Sequence, residues 1–238
     1  MTLANDSPGP VPQLSWIVPM YRTSAHLDEL LERIGATSAV MGLSHEVILI
    51  NDACPEDGAA ADKAASVRPA VSVVHHAHNQ GQDAAIRSGL RLCRADWAVA
   101  IDADLQDPPE AVLHLWAARE AGIDAAFANR VGLYTSPGRR LTSLVYRRLA
   151  SLLAGLPTGA CLFLLMNRRL IDRVAATTGG RISILAIVAA AQGRWATVLI
   201  TRNPRPSGRS AYSGLRRLDK ALVSLWQILR SRHFSKTL

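Results

Sequence analysis

The sequence predicts an α/β fold: a mainly parallel sheet flanked by helices, with an amphipathic helix at its C-terminal end. Three observations lead there. Short β-rich apolar runs alternate with amphipathic helical segments through the first half of the chain. Several of those runs end directly in polar or acidic residues, as strands of such a sheet do where they open onto a crevice. The composition, 49% hydrophobic and 19% charged, excludes a disordered chain and a coiled coil, and 238 residues suit one sizeable core rather than two.

Taken in order, LSWIVPM (14–20) reads as a strand, and residues 25–41 as a helix with Leu27, Leu30, Leu31 and Ile34 on one face. EVILIN (46–51) is a second strand, whose charged turn NDACPEDG leads into a short helix. VSVVHH (71–76) is a third strand, followed by a helix over 82–94; DWAVAID (96–102) is a fourth and runs straight into acidic residues. PPEAVLHLWAARE (108–120) begins with proline in the first turn, where a missing N–H is harmless. AAFANR (125–130) is a fifth strand. Residues 149–166 carry no charge, but Gly155, Pro157, Thr158 and Gly159 interrupt them, so helix, turn and buried strand is preferred to a re-entrant segment. Residues 182–200 read as a buried helix leading to a strand. In such sheets ligands sit beyond the carboxyl ends of the strands, so Pro19-Met20-Tyr21, Asn51-Asp52 and Asp102-Ala103-Asp104 are expected at one site.

Charge divides the chain. Residues 1–130 hold nine Lys and Arg against seventeen Asp and Glu, a net of −8; residues 131–238 hold eighteen against two, a net of +16. An acidic cation site joined to a basic anion-binding half fits this division, as does a solvated basic face. Cys54, Cys93 and Cys161 form no CxxC pair and indicate a reducing compartment. The first residues lack a basic stretch followed by an apolar one, so no signal peptide is expected and residues 1–13 read as a loose leader.

AIDADLQDPPE (100–110) is the most informative stretch. Asp102 and Asp104 lie two apart where the strand ends, so a period-2 backbone directs both carboxylates to one side. With the amide of Gln106 they form a hard oxygen set that suits Mg²⁺ or Mn²⁺ and not zinc. The same residues also read as a polar turn, with Asp107 before Pro108 in the manner of an N-cap.

Four segments, VPMYRTSAHLDELL, EVILINDACPEDG, HNQGQDAAIRSGL and AVAIDADLQDPPE, stand in an order and spacing that resembles the family 2 glycosyltransferases of GT-A fold. The DADLQDPPE run is most similar to the branch that uses polyprenyl phosphates. The resemblance covers about residues 14–213, a single catalytic domain, and loosens after residue 130. It implies that Pro19 and Tyr21 line a nucleotide base pocket and that Asp52 bonds base or ribose. Asn79, Gln80 and Gly81 would close the same side, and Ala103 and Arg130 would belong to it. Asp102 would face ribose or cation, while Asp104 and Gln106 would hold the cation, Mg²⁺ or Mn²⁺, against the diphosphate. By themselves Tyr21 also reads as a half-buried core tyrosine and Asp52 as a turn former.

The basic half continues the resemblance with departures. Arg139 and Ser143 match the family's acceptor loop, and Asp104, Arg139 and Ser143 form the implied catalytic set. Guanidinium groups suit a phosphate because they stay charged and present paired donors. Arg205, Gly208, Ser210 and Tyr212 match a segment that follows the core, where Ala211 replaces a usual lysine. In GACLFLLMNRR (159–169), Leu162 and Leu164 stand where an acidic residue or glycine and an arginine are usual. In the tail, 214–238, Leu215, Leu218, Leu222, Leu225 and Leu229 form a helical stripe opposite Arg216, Arg217 and Lys220. Such a helix lies on an anionic membrane surface or packs on its own domain, a second copy or a separate membrane partner.

The implied activity is an inverting, metal-dependent transfer of a hexose from a nucleotide-diphosphate sugar to a polyprenyl phosphate. The implied location is cytoplasmic, peripheral on the inner membrane face. A family 2 transferase acting on a soluble or polysaccharide hydroxyl is the nearest alternative. A nucleic-acid-binding module is the alternative from another class, disfavoured by aromatic residues at only 5%. His75, His76 and His78 suggest a metal cluster by spacing alone, and carboxylates are the expected ligands instead.

Overall fold

The computed structural model describes residues 10–131, 155–178 and 182–203. Their strands are β1 (Leu14–Met20), β2 (His45–Asn51), β3 (Val71–His75), β4 (Trp97–Ala100), β5 (Ala125–Val131), β6 (Leu164–Asn167) and β7 (Trp195–Thr201). They form one sheet in the order β3-β2-β1-β4-β6-β5-β7, parallel except for β6, which runs antiparallel to both β4 and β5. The helices are α1 (Leu27–Val40), α2 (Pro55–Val67), α3 (Gln82–Leu90), α4 (Val112–Ala118), α5 (Arg168–Ala176) and α6 (Ile184–Ala190). The predicted α/β class and mainly parallel sheet are therefore observed.

Strands β1 and β2 are apolar on successive residues because both faces of the sheet are covered. Trp16, Val18 and Leu49 pack into one core with α1 and α4, whereas Ile17, Ile48 and Ile50 pack into the other with α3, α5 and α6. The stripe on α1 is buried as its spacing predicts. Gly89, an unusual residue inside a helix, lets α3 approach the sheet: a Cβ there would stand 2.7 Å from both Ile17 and Ile50. The edge strands β3 and β7 are only partly covered.

Several boundaries differ from expectation. Helix α2 starts inside the charged turn, at Pro55, and runs for 13 residues. Helix α3 stops at Leu90, and the expected helix over 108–120 is α4 flanked by two single 3-10 turns, at Pro109–Ala111 and Arg119–Ala121. Strand β4 ends at Ala100, not at residue 102, because only Ala100 and the residues before it find ladder partners on β1 and β6. Among the described residues no helix is long and apolar enough to cross a membrane. The helical part of 149–166, the 204–213 segment and the 214–238 tail lie outside the described residues.

Candidate active site

The connections leaving the carboxyl ends of β1, β2, β3 and β4 share one feature. Each contains a residue of positive φ: Arg22 (60°), Ala53 (61°), Gly81 (89°) and Leu105 (55°). Left-handed backbone at a non-glycine residue is unfavourable by roughly 1 kcal/mol or more and persists only where neighbours enforce it. Here two buried carboxylates do so. Asp57, in the first turn of α2 and wholly buried, accepts from the N–H groups of Thr23 (2.9 Å) and Ser24 (2.8 Å), fixing the loop that carries Tyr21 and Arg22. Asp52, 3% exposed, accepts from the N–H groups of Gln80 and Gly81, both at 2.8 Å, fixing the loop between β3 and α3.

The acidic stretch follows β4, the neighbour of β1 in the sheet. Although the β4 ladder has ended, burial still alternates: Ile101, Ala103, Leu105 and Asp107 are buried, while Asp102, Asp104 and Gln106 are half-buried. Ala103 and Leu105 are thus apolar anchors of a stretch that is no longer a strand. Gln82, the first residue of α3, donates its amide to Asp102 Oδ1. Arg130, at the end of β5, lies 3.5 Å from the other Asp102 oxygen. Burial pushes the Asp102 carboxyl up to about 6 against the pull of Arg130; Asp107 and Asp104 raise it further and Arg202 opposes them.

Asp107 does not cap the following turn, whose N-cap is Pro108 without a side-chain bond. It is wholly buried and paired on both oxygens: Arg130 Nε donates at 3.0 Å and Arg130 Nη2 to the second oxygen, with Arg202 Nε at 3.4 Å from the first. Asn203 N–H also donates to Gln106 C=O at 2.8 Å, so the chain leaving β7 is tied to the acidic loop. The N-cap expectation fails because a charged side chain on the buried side of the alternation needs a counter-ion more than a helix end needs a cap.

The other expected residues divide clearly. Pro19 is half-buried near the end of β1, and Tyr21 is 41% exposed, with the Arg22 guanidinium 5.3 Å from its ring centroid, so the core-tyrosine reading does not apply. Gln80 is exposed and Ala103 buried. Asp52 stands where expected, but its carboxylate holds the chain's own loop. The three histidines do not gather: His75 bonds Asn51 and Asp62, and His76 bonds Asp52 and Ser88. Leu162 packs on the α3 side core and Leu164 is wholly buried at the start of β6, so neither departure position supplies a polar group. Cys161 instead approaches the end of β5, its thiol donating to Ala128 C=O at 3.0 Å, and burial pushes that thiol up. Arg139, Ser143 and Arg205 lie outside the described residues. Sequence reading missed Asp57, Gln82, His76 and Arg202; only Asp57 and Gln82 carried a local signal, each lying in the first turn of a helix after a polar loop.

The donor set suits a hard cation. Asp102, Asp104 and Gln106 offer oxygen atoms only, and Asp102 is a carboxylate whose charge its surroundings leave incompletely compensated. No three His, Cys, Asp or Glu side chains cluster as a closed metal cage among the described residues. Such a set leaves part of a cation's shell for ligand oxygens.

Comparison with known proteins gives the family and the fold. The family model described as Glycosyl transferase family 2 matches residues 15–175. An undecaprenyl-phosphate 4-deoxy-4-formamido-L-arabinose transferase of Pseudomonas fluorescens is 32% identical over 222 residues, 89% of this chain and 64% of that protein. The protein of the same name in Klebsiella pneumoniae is 30% identical over 88% of this chain and 65% of its own length. The chain therefore spans just under two thirds of these relatives. Among solved structures, the mannosyltransferase PcManGT of Pyrobaculum calidifontis, in complex with GDP-Man and Mn²⁺, aligns with a TM-score of 0.63 at 18% identity, covering 96% of this chain and 71% of that one. Glucosyl-3-phosphoglycerate synthase of Mycobacterium tuberculosis, with Mn²⁺, UDP-Glc and phosphoglyceric acid, gives 0.63 at 16% identity, covering 92% and 79%. These likenesses establish the GT-A fold.

Proposed function

The chain belongs to the family 2 glycosyltransferases, and from that premise we propose that it transfers a sugar from a nucleotide-diphosphate donor to a polyprenyl phosphate, using Mg²⁺ or Mn²⁺ and inverting the anomeric carbon. The acidic loop carries this reading: Asp102, Asp104 and Gln106 occupy the half-buried alternate positions of the stretch after β4, with Gln82 of α3 bonded to Asp102. Bound there, the cation would supply positive charge against the diphosphate as it departs. Pro19, Tyr21, Asp52, Gln80 and Gly81 would form the base and ribose side, and Arg130 the flank beside Asp102.

The lipid acceptor is supported by the relatives, which are undecaprenyl-phosphate transferases. A phosphate monoester is already ionised at neutral pH, so it needs positioning and no general base. The burial of Asp107 under two arginines accords with that, since it is not free to take a proton from an acceptor hydroxyl. Arg139, Ser143 and Arg205 would hold the acceptor phosphate and donor, and a lipid acceptor would bring the protein to a membrane face. The relatives' sugar is an arabinose derivative, so the donor is sought among pentoses as well as the hexoses expected from sequence.

The test incubates the full chain with labelled UDP- and GDP-hexoses and UDP-4-deoxy-4-formamido-L-arabinose, polyprenyl phosphate and MnCl₂ or MgCl₂. Label is expected in the organic phase, lost with EDTA and lost in Asp104→Ala. Label appearing only in water-soluble product would assign a hydroxyl acceptor, and full transfer by Asp104→Ala would remove the proposed cation role.

A further inference from the structure

Behind the β3–α3 loop lies a buried relay that the transfer chemistry does not use. Asp52 Oδ1 is 2.8 Å from His76 Nδ1, and His76 Nε2 is 2.9 Å from Ser88 Oγ on α3. The side chains of His76 and Asp52 are 6% and 4% exposed. Because a carboxylate only accepts, the proton on the imidazole facing Asp52 is carried by Nδ1, and Nε2 is left to meet the Ser88 hydroxyl. An acid, an imidazole and a hydroxyl in this order also occur at nucleophilic centres. Here the imidazole is buried, Ser88 is a half-buried residue inside α3, and the Asp52 carboxylate is spent on backbone amides, so the relay acts on structure instead.

Its far end shows on what. The same Asp52 Oδ1 that takes the His76 proton accepts from Gln80 N–H at 2.8 Å, and Oδ2 accepts from Gly81 N–H at 2.8 Å. Gly81 has a φ of 89°, which glycine adopts without strain, so the residue itself selects no one conformation and the loop depends on the two amide bonds to Asp52. The next residue, Gln82, donates to Asp102. Rotation of the Asp52 carboxylate would therefore release both amides and the approach of Gln82 to the acidic loop.

We propose that His76 is a positioning residue for the nucleotide donor: by fixing the rotamer of Asp52 it sets the backbone of Gln80 and Gly81. This rests on the reading of that loop as nucleotide-binding. The two ring nitrogens can be mimicked separately, since the amide nitrogen of asparagine stands where Nδ1 does and that of glutamine where Nε2 does. His76→Asn keeps the donor to Asp52; His76→Gln removes it while preserving more of the side-chain volume. A packing role would make glutamine the milder change, and the relay makes asparagine the milder one.

The test measures hydrogen exchange at the Gln80 and Gly81 amides, and titrates UDP and GDP in MnCl₂, for the wild-type chain and both variants. Loss of a hydrogen bond to a charged group predicts about tenfold faster exchange and about tenfold weaker nucleotide binding in His76→Gln, with His76→Asn within about threefold of wild type. Steady-state transfer should show the loss in donor KM with kcat nearly unchanged. Equal protection of the two amides in all three proteins overturns the relay. Altered protection with unchanged nucleotide affinity overturns the role of His76 in donor positioning alone. Failure of the wild-type chain to bind either nucleotide overturns the reading of the loop, whatever the exchange shows.

Discussion

Replacing Asp107 with alanine removes a wholly buried carboxylate and leaves two arginines, one on β5 and one just after β7, facing a void. Breaking a buried pair by deleting one partner typically costs about 3–5 kcal/mol, because the remaining charge is stranded. Arg130 and Arg202 are 26% and 30% exposed, so water recovers part of their hydration, and Arg130 keeps Asp102 at 3.5 Å. The expected loss is therefore about 2–4 kcal/mol, or roughly 5–15 °C in Tm for a chain of this size. Urea unfolding followed by circular dichroism measures it. Asp107→Asn keeps an acceptor oxygen and the shape, and should recover about half the loss. A double-mutant cycle with Arg130→Met should give a coupling of at least about 1 kcal/mol, since the residues touch. If Asp107→Asn were as stable as wild type and yet lost transfer by about a hundredfold or more, Asp107 would be a general base and the clasp described above would be refuted.

Three further outcomes are expected. The Asp102 carboxyl rises from 3.8 to about 6 in the folded state, which then binds its proton more tightly than the unfolded chain does, so its contribution to stability falls as pH rises through that interval. The gap is worth about 3 kcal/mol, so in EDTA Asp102→Asn should be about 1–3 kcal/mol more stable than wild type at pH 7.5 and no more stable at pH 4; a less stable variant at pH 7.5 would show that Arg130 and Gln82 already compensate the charge. Asp57→Ala strands the N–H groups of Thr23 and Ser24 and should lose about 1–3 kcal/mol in urea unfolding while raising donor KM, and an unchanged KM would detach the β1 loop from the donor. Gly159→Ala places a Cβ 2.3 Å from Asn129 Oδ1 at a φ of 92°, so thermal unfolding should show about 1–3 kcal/mol of destabilisation, and a neutral result would contradict the tight approach of that loop to β5.

Strands β1, β2, β3 and β5 were legible because two-residue alternation and buried apolar runs are properties of short segments, and α1 because its leucines repeat at the helical period. The end of β4 was not, since a strand stops where its neighbours stop pairing, which the segment DWAVAID does not encode. Some residue types were legible too: the acidic run and the arginine near the end of β5 meet, Arg130 pairing with Asp102 and Asp107. Their division of labour was not. Asp52, Asp57 and Asp107 look alike in sequence as polar turn formers, and each turned out to be a buried acceptor for groups 23 to 34 residues away, apart from the 95-residue reach of Arg202.

The sequence by itself determined the α/β class and the placing of polar and acidic residues at the strand ends, because these follow from local period and residue chemistry. Only the tertiary structure decided which carboxylates face outward and which hold the scaffold. Burial selects between those roles: a carboxylate enclosed by the fold must find N–H groups or guanidinium partners, and those partners come from elements that only the assembled sheet brings together.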